Sequence, residues 1–182
     1  MEPEGLDRRQ DSFDAFFESH YDSVYRYCLR RLGAADAEDA AAEVFAVAWR
    51  RIDKMPAPQV ERAWLLGVAY RVIGNHFRGR MRWARLVGRL EFATSRADPG
   101  DSAVDGDFRL LHLALQGLRP ADRELLRLAS WDGLTRREIA EVMGINVNAV
   151  DQRLFRARAR MKDRFERLRE DELRVGTKEA SA

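Results

Sequence analysis

Arginine is the residue type whose placement in this chain most suggests a chemical task. Six arginines, at 71, 78, 80, 82, 85 and 89, fall in one stretch with no carboxylate among them. A second basic run holds Arg153, Arg156, Arg158, Arg160 and Lys162 and meets no acid until Asp163. Between the two, Glu91 to Asp107 carries five carboxylates against Arg96 alone. The net charge is only +2, so the signal lies in the distribution of charge and not in its sum. Two separated cationic surfaces point to two contacts with a polyanion, DNA. Covalent and metal chemistry have no comparable support. Cys28 is the single cysteine, and His20, His76 and His112 are spread along the chain without metal-ligand spacing. Glycine-rich phosphate loops, G-x-S-x-G elbows and carboxylate pairs beside a histidine are missing. The sequence therefore predicts no enzyme, no cofactor and no small-molecule substrate.

Helices must position these cations. Apolar residues recur every three or four positions and no period-two run of β-branched residues occurs, which predicts an all-α fold. Asp11 or Ser12 is placed to cap a first helix with Phe13, Phe16, Phe17, Val24, Tyr27, Cys28 and Leu32 on its apolar face, ending at Gly33. A second helix starts near Asp36, with Asp36, Glu38 and Asp39 where the helix dipole favours acids, and buries Ala37, Ala40, Ala41, Val44, Ala48 and Ile52. Pro56 and Pro58 mark its end. The third begins between Gln59 and Arg62, with Trp64, Leu65, Val68, Ala69, Val72, Ile73, His76 and Phe77 on its apolar face. Spacing assigns Trp49, Trp64 and Phe77 to the core and leaves Tyr70 and Trp83 to stack on unpaired bases. His76 reads as packed or phosphate-facing, and Cys28 as core.

From Thr94 to Asp107 the composition turns to Ser, Ala, Asp, Pro and Gly, as in a linker. The predicted organisation is a helical domain at 11–92, a flexible linker at 93–107 and a second helical domain at 108–172. In the second domain, Leu110, Leu111, Ala114, Leu115 and Leu118 lie on one helix and Pro120 to Ser130 forms another. Thr135 with Glu138 has capping-box spacing, and the short helix that follows buries Ile139, Ala140, Val142 and Met143 up to Gly144. Asn146 then caps a helix that buries Val147, Val150, Leu154, Ala157, Met161 and Phe165. This is helix-turn-helix spacing, with Ala140 small enough for a close crossing. The outer face carries Asn148, Asp151, Gln152, Phe155, Arg156 and Arg160, side chains that can reach base edges and phosphates. Residues 169–182 read as a polar, frayed tail.

At 182 residues with 46% hydrophobic and 34% charged, the chain fits a folded protein with modest cores. Apolar runs are far short of the roughly 20 residues that span a bilayer, and the acidic opening Met-Glu-Pro-Glu-Gly-Leu-Asp has no apolar stretch. The expectation is a cytoplasmic protein without membrane insertion. A helix-turn-helix regulator acting as a dimer on a palindrome is the alternative, and it leaves the acidic second helix and the second basic block unexplained.

The order of these motifs resembles the bacterial extracytoplasmic-function sigma factors, two-domain specificity subunits of RNA polymerase. The resemblance covers about residues 11 to 170. It rests on Tyr-Asp-Ser-Val-Tyr-Arg-Tyr-Cys-Leu-Arg-Arg-Leu in the first helix, Asp36-Ala-Glu-Asp-Ala-Ala-Ala-Glu-Val-Phe-Ala-Val-Ala-Trp-Arg in the second, Ala63-Trp-Leu-Leu-Gly-Val-Ala in the third, and Gly133-Leu-Thr-Arg-Arg-Glu-Ile-Ala-Glu-Val-Met-Gly-Ile with Arg153-Leu-Phe-Arg-Ala-Arg-Ala-Arg near the end. The resemblance implies that Asp36, Asp39, Glu43, Val44, Phe45 and Trp49 grip core RNA polymerase. It implies that the loop Lys54 to Val60 and the third helix hold a base flipped from the minus-10 element. Lys54, Tyr70, Arg71, Asn75, Arg78, Arg80 and Arg82 would contact that DNA. Asn148, Asp151, Gln152, Arg153, Phe155 and Arg156 would bind the minus-35 element, with Arg153 on phosphate. The acidic linker would thread toward the RNA exit path, and an anti-sigma protein would hold the factor inactive. Ala42 replaces a glutamine usual in the family, Arg71 an asparagine, and Asp151 a lysine or arginine. A carboxylate at that last position repels phosphate but can accept from a cytosine amino group.

Overall fold

The computed structural model describes residues 3–87 and 106–179, and among them there are seven α-helices, one 3₁₀ turn and no strand. In chain order these are α1 (Pro3–Leu32), α2 (Ala34–Trp49), the 3₁₀ turn Ile52–Lys54, α3 (Pro58–Val87), α4 (Gly106–Gln116), α5 (Pro120–Ser130), α6 (Arg136–Met143) and α7 (Val147–Glu179). Contacts gather α1, α2 and α3 into one compact unit, and α4, α5 and α7 with most of α6 into a second. The predicted linker lies almost wholly outside the described residues, with α4 already begun at Gly106.

The first unit is built on small and aromatic residues. Ala37, Ala40, Ala41, Val44 and Ala48 are buried on one stripe of α2, and their short side chains let α1 and α3 approach closely. Into that space α1 sends Phe16, Val24, Tyr27, Cys28 and Leu32, and α3 sends Ala63, Leu65, Leu66, Val68, Ala69, Val72 and Ile73. Each fully buried large side chain contributes about 1.5–3 kcal/mol of transfer free energy. Gly33 alone joins α1 to α2, at φ 82°, a conformation that a residue with a Cβ rarely adopts. Polar ties brace the helices: His20 Nε2 lies 3.0 Å from Glu61 Oε2, and Arg62 Nε donates to Ser23 Oγ at 3.2 Å. Arg31, though buried, donates from Nη1 to the Tyr27 carbonyl at 3.2 Å, with its guanidinium carbon 3.4 Å from the Tyr27 ring centre. Burial pushes the Cys28 thiol up to about 11, against the opposing pull of Arg31. It is a core thiol, protonated at neutral pH.

The second unit is held more by its chain reversals. Leu110, Ala114, Leu115, Leu118, Leu125, Leu126, Leu128, Leu134, Ile139, Val150, Leu154 and Ala157 form its core. Pro120 opens α5, where a missing N–H costs nothing. Arg123 closes α4, with its guanidinium donating to the carbonyls of Gln116 and Leu118. Those are acceptors a helix end leaves unmatched.

Several expectations need correction. α1 begins at Pro3 and not at Asp11 or Ser12, consistent with proline's ease in a first helical turn. Ile52 lies beyond α2 in the 3₁₀ turn and is only half-buried. Phe77 and Trp49, assigned to the core by spacing, are 44% and 36% exposed, and Trp64 is half-buried. Leu118, placed on one helix with Leu110, lies beyond α4; Val147 is exposed, and Met143, Met161 and Phe165 are half-buried. The segment read as a frayed tail is helical to Glu179: its Arg, Leu and Glu residues favour helix, and Arg109 of α4 pairs with Glu172.

Candidate nucleic-acid interface

The turn between α6 and α7 fixes the second unit's contact surface. Thr135 Oγ1 accepts from the Glu138 N–H at 3.3 Å while Glu138 Oε2 accepts from the Thr135 N–H at 2.7 Å, a closed capping box. After the eight residues of α6, Gly144 ends the helix in the left-handed region at φ 66°, and the Ile145 N–H returns to the Ala140 carbonyl at 3.0 Å. Asn146 Oδ1 then accepts from the Ala149 N–H at 2.7 Å to start α7. Every stop and start in the segment is thus satisfied by a local partner.

With Val150, Leu154 and Ala157 turned into the core, Asn148, Asp151, Gln152, Phe155 and Arg156 fall on the opposite face of α7. All five are exposed, Phe155 at 76%. Arg153 is exposed on the flank between this face and the buried one. Arg156 Nε donates to the Gln152 carbonyl at 3.2 Å, which lays its side chain back along the helix. Arg160, expected on the same contact face, is engaged instead: its Nη1 donates to Asp122 Oδ2 of α5 at 2.7 Å, an ion pair that ties α7 to the unit's body. Asp151 Oδ1 accepts from Arg136 Nε of α6 at 3.1 Å.

In the first unit, the last buried residue among the described side chains of α3 is Ile73. Arg71, Asn75 and Arg78 are exposed at i, i+4 and i+7, one stripe of the helix, and Arg78 Nη2 donates to Asn75 Oδ1 at 2.5 Å. Tyr70 is half-buried, adjacent in sequence but not on that stripe. Lys54 is exposed at the end of the 3₁₀ turn. The expected loop Lys54 to Val60 is shorter than predicted, because Pro58–Val60 already belong to α3. Arg80 and Arg82 lie within α3, and their side chains, like that of Trp83, fall outside the described residues.

The acidic helix divides in two. Asp39 and Glu43 are exposed on one face of α2, and Trp49 is part-exposed with its ring edge-on to Phe13, 4.9 Å between centres. Phe45 is not on that face. It is only 4% exposed, packed on Phe17 at 4.6 Å with Phe16 and Tyr21 beyond, so it supports α2 from beneath. Asp36 is half-buried. The sequence reading missed the tie across the helices: Glu43 Oε2 lies 3.0 Å from His76 Nε2, so the residue read as packed or phosphate-facing is a partner of the acidic face. Phe17, Tyr21 and Tyr25 form an aromatic row along α1, visible in the sequence as a four-residue spacing. Among the described residues no group of His, Cys, Asp or Glu could hold a metal ion, and no helix is long and apolar enough to cross a membrane.

Residues 16–82 match Sigma-70 region 2 and residues 108–161 match Sigma-70, region 4. The RNA polymerase sigma factor CnrH of Cupriavidus metallidurans is 30% identical over 136 residues, covering 69% of this chain and 71% of CnrH. The chain belongs to the ECF RNA polymerase sigma factors. The ECF sigma factor BldN of Streptomyces coelicolor is 32% identical over 152 residues, 81% of this sigma factor, which spans only 58% of BldN. Its fold is shared with RpoE of Bartonella quintana, solved with the anti-sigma factor NepR, at a TM-score of 0.64 and 19% identity over 85% of this chain and 97% of RpoE. It is shared too with CnrH solved with the cytosolic domain of CnrY, at a TM-score of 0.58 and 22% identity over 85% and 87%. The α1–α3 unit of this sigma factor holds region 2, and the helix-turn-helix of α6 and α7 lies within region 4.

Proposed function

We propose that this sigma factor binds core RNA polymerase, places it on promoters by reading a minus-35 and a minus-10 element, and opens the duplex without catalysing a reaction itself. In the cytoplasm it would cycle between polymerase and an anti-sigma protein. The observation that carries the reading is the exposed row Asn148, Asp151, Gln152, Phe155 and Arg156 on α7, directly after a capped turn. Amides and a guanidinium on the first turns of such a helix can address base edges in a major groove, and Phe155 can meet a thymine methyl.

In the first unit, Arg71 and Arg78 would neutralise the backbone of the minus-10 strand, with Lys54, Arg80 and Arg82 adding charge and Tyr70 a stacking surface. Asn75 would present its amide to a flipped base, steadied by Arg78. Asp39, Glu43 and Trp49 would form the polymerase-facing side of α2, with Phe45 and Asp36 holding its position. Anti-sigma control is supported by the partner chains in the RpoE and CnrH complexes.

The test is transcription with sigma-free core polymerase, this protein and fragmented genomic DNA of its host, with the 5′ ends mapped. Starts behind a shared two-part motif are expected; their absence, with core binding intact, would refute promoter selection. Asp39→Arg with Glu43→Arg should abolish core binding while circular dichroism stays unchanged. Full affinity in that double variant would remove α2 from the interface.

A further inference from the structure

Asp151 is the one acid in the exposed row Asn148, Asp151, Gln152, Phe155 and Arg156 of α7, and it is bound to Arg136 at the first residue of α6. The pair is 3.1 Å long and open to solvent, its side chains 50% and 57% exposed. Among the described residues the other Asp151 oxygen, Oδ2, accepts no hydrogen bond. A pair this exposed is weak and easily exchanged for another partner. The two residues also stand where a helix-turn-helix meets different parts of a duplex. The first helix crosses the phosphate backbone, and the N-terminal turns of the second face base edges.

We infer that Arg136 is a masked phosphate contact, held back by Asp151 and released when Asp151 finds a base amino group, so that one sequence position controls one backbone contact. The inference rests on the proposed reading of duplex DNA by α7. On a duplex without the amino group at that position, Asp151 keeps Arg136, and the protein neutralises one phosphate fewer. Where a cytosine presents its N4 amino group, the carboxylate accepts that hydrogen bond, and the guanidinium turns to the nearby phosphate. In the released state the carboxylate keeps its charge and has a neutral hydrogen-bond donor in place of the guanidinium. Specificity then comes from two linked events, a base contact and a counterion release, where an isolated carboxylate would supply only the first. Arg160 does not behave this way: its partner Asp122 lies on α5, and that side chain is only 13% exposed.

The experiment uses the full chain and duplexes selected by it from a random pool. Salt dependence of binding is measured on the selected duplex and on one with the Asp151-facing cytosine pair replaced. For the unaltered chain the slope of log affinity against log salt should be steeper on the selected duplex by about 0.9, one phosphate. Asp151→Asn should release Arg136 everywhere, raising affinity for the replaced duplex and equalising the two slopes. Arg136→Gln should lower the slope on the selected duplex only. The double variant should match Arg136→Gln on both, and circular dichroism should be unchanged throughout. Equal slopes in the unaltered chain, or an Arg136→Gln loss of the same size on both duplexes, would overturn the inference while leaving duplex reading intact. A pool with no enriched motif would overturn the reading itself, and the inference with it.

Discussion

The two units of this sigma factor reach a defined shape by different means. In α1–α3 the helices are long and the information is tertiary: a small-residue stripe on α2, aromatic rings from α1, and ties between residues far apart in sequence, such as Glu43 with His76. In α4–α7 the helices before α7 are short and the information is local, a capping box, a left-handed glycine and an asparagine cap within a dozen residues. The difference bears on precision. A surface assembled from two long helices inherits the rotation of each, whereas a surface on one capped helix depends on a single start signal.

That contrast can be broken at its strongest point first. Leu65→Ala removes a fully buried side chain of α3 and should cost about 2–5 kcal/mol, seen by hydrogen exchange as lost protection in α1–α3 with α4–α7 little changed. Equal loss in both would mean that the units do not stand apart energetically. Arg156→Ala should cost about 1–3 kcal/mol of binding and relax one minus-35 position. A uniform loss across sequences would make it a phosphate contact. Thr135→Ala opens the capping box and should cost about 1 kcal/mol, with the effect confined to α6 and the turn. Thermal melting would detect it.

The smallest effect is one of pH. Burial, followed by the charges of Arg127 and Arg123, holds the His112 imidazole below its ordinary 6.5. The folded chain therefore keeps His112 neutral at pH values where the unfolded chain binds a proton. Its contribution is complete above 6.5 and is lost as pH falls through the lower folded-state value. Denaturant midpoints at about pH 7.5 and about pH 5 should differ less in His112→Gln than in the unaltered chain. An unaltered difference would leave His112 without a role in acid sensitivity.

The sequence carried the all-α architecture and the helix-turn-helix because both are written in short-range spacing: three- and four-residue periodicity, and caps whose partners lie within three residues. The α7 face was legible for the same reason. Phe45 and Trp49 were not, because periodicity gives a helix an apolar side but not the rotation at which neighbours cover it. α1 leaves Phe45 only 4% exposed and meets Trp49 with Phe13 in a T-shaped contact. His76 was misread on similar grounds, its partner standing on another helix. Arg160 joined the contact row by spacing alone, and the nearness of Asp122 removes it.

Gly33 offers a different kind of lesson, about editing. With one residue joining α1 to α2, the link has no slack in which an insertion could be absorbed. Each residue added within α2 just after it would turn the rest of that helix by about 100° and advance it by about 1.5 Å. A single inserted codon there would swing Asp39 and Glu43 off their side of the unit and drive alanines out of the core, with no existing residue replaced. The length of the chain at that junction is a fixed dimension of the part.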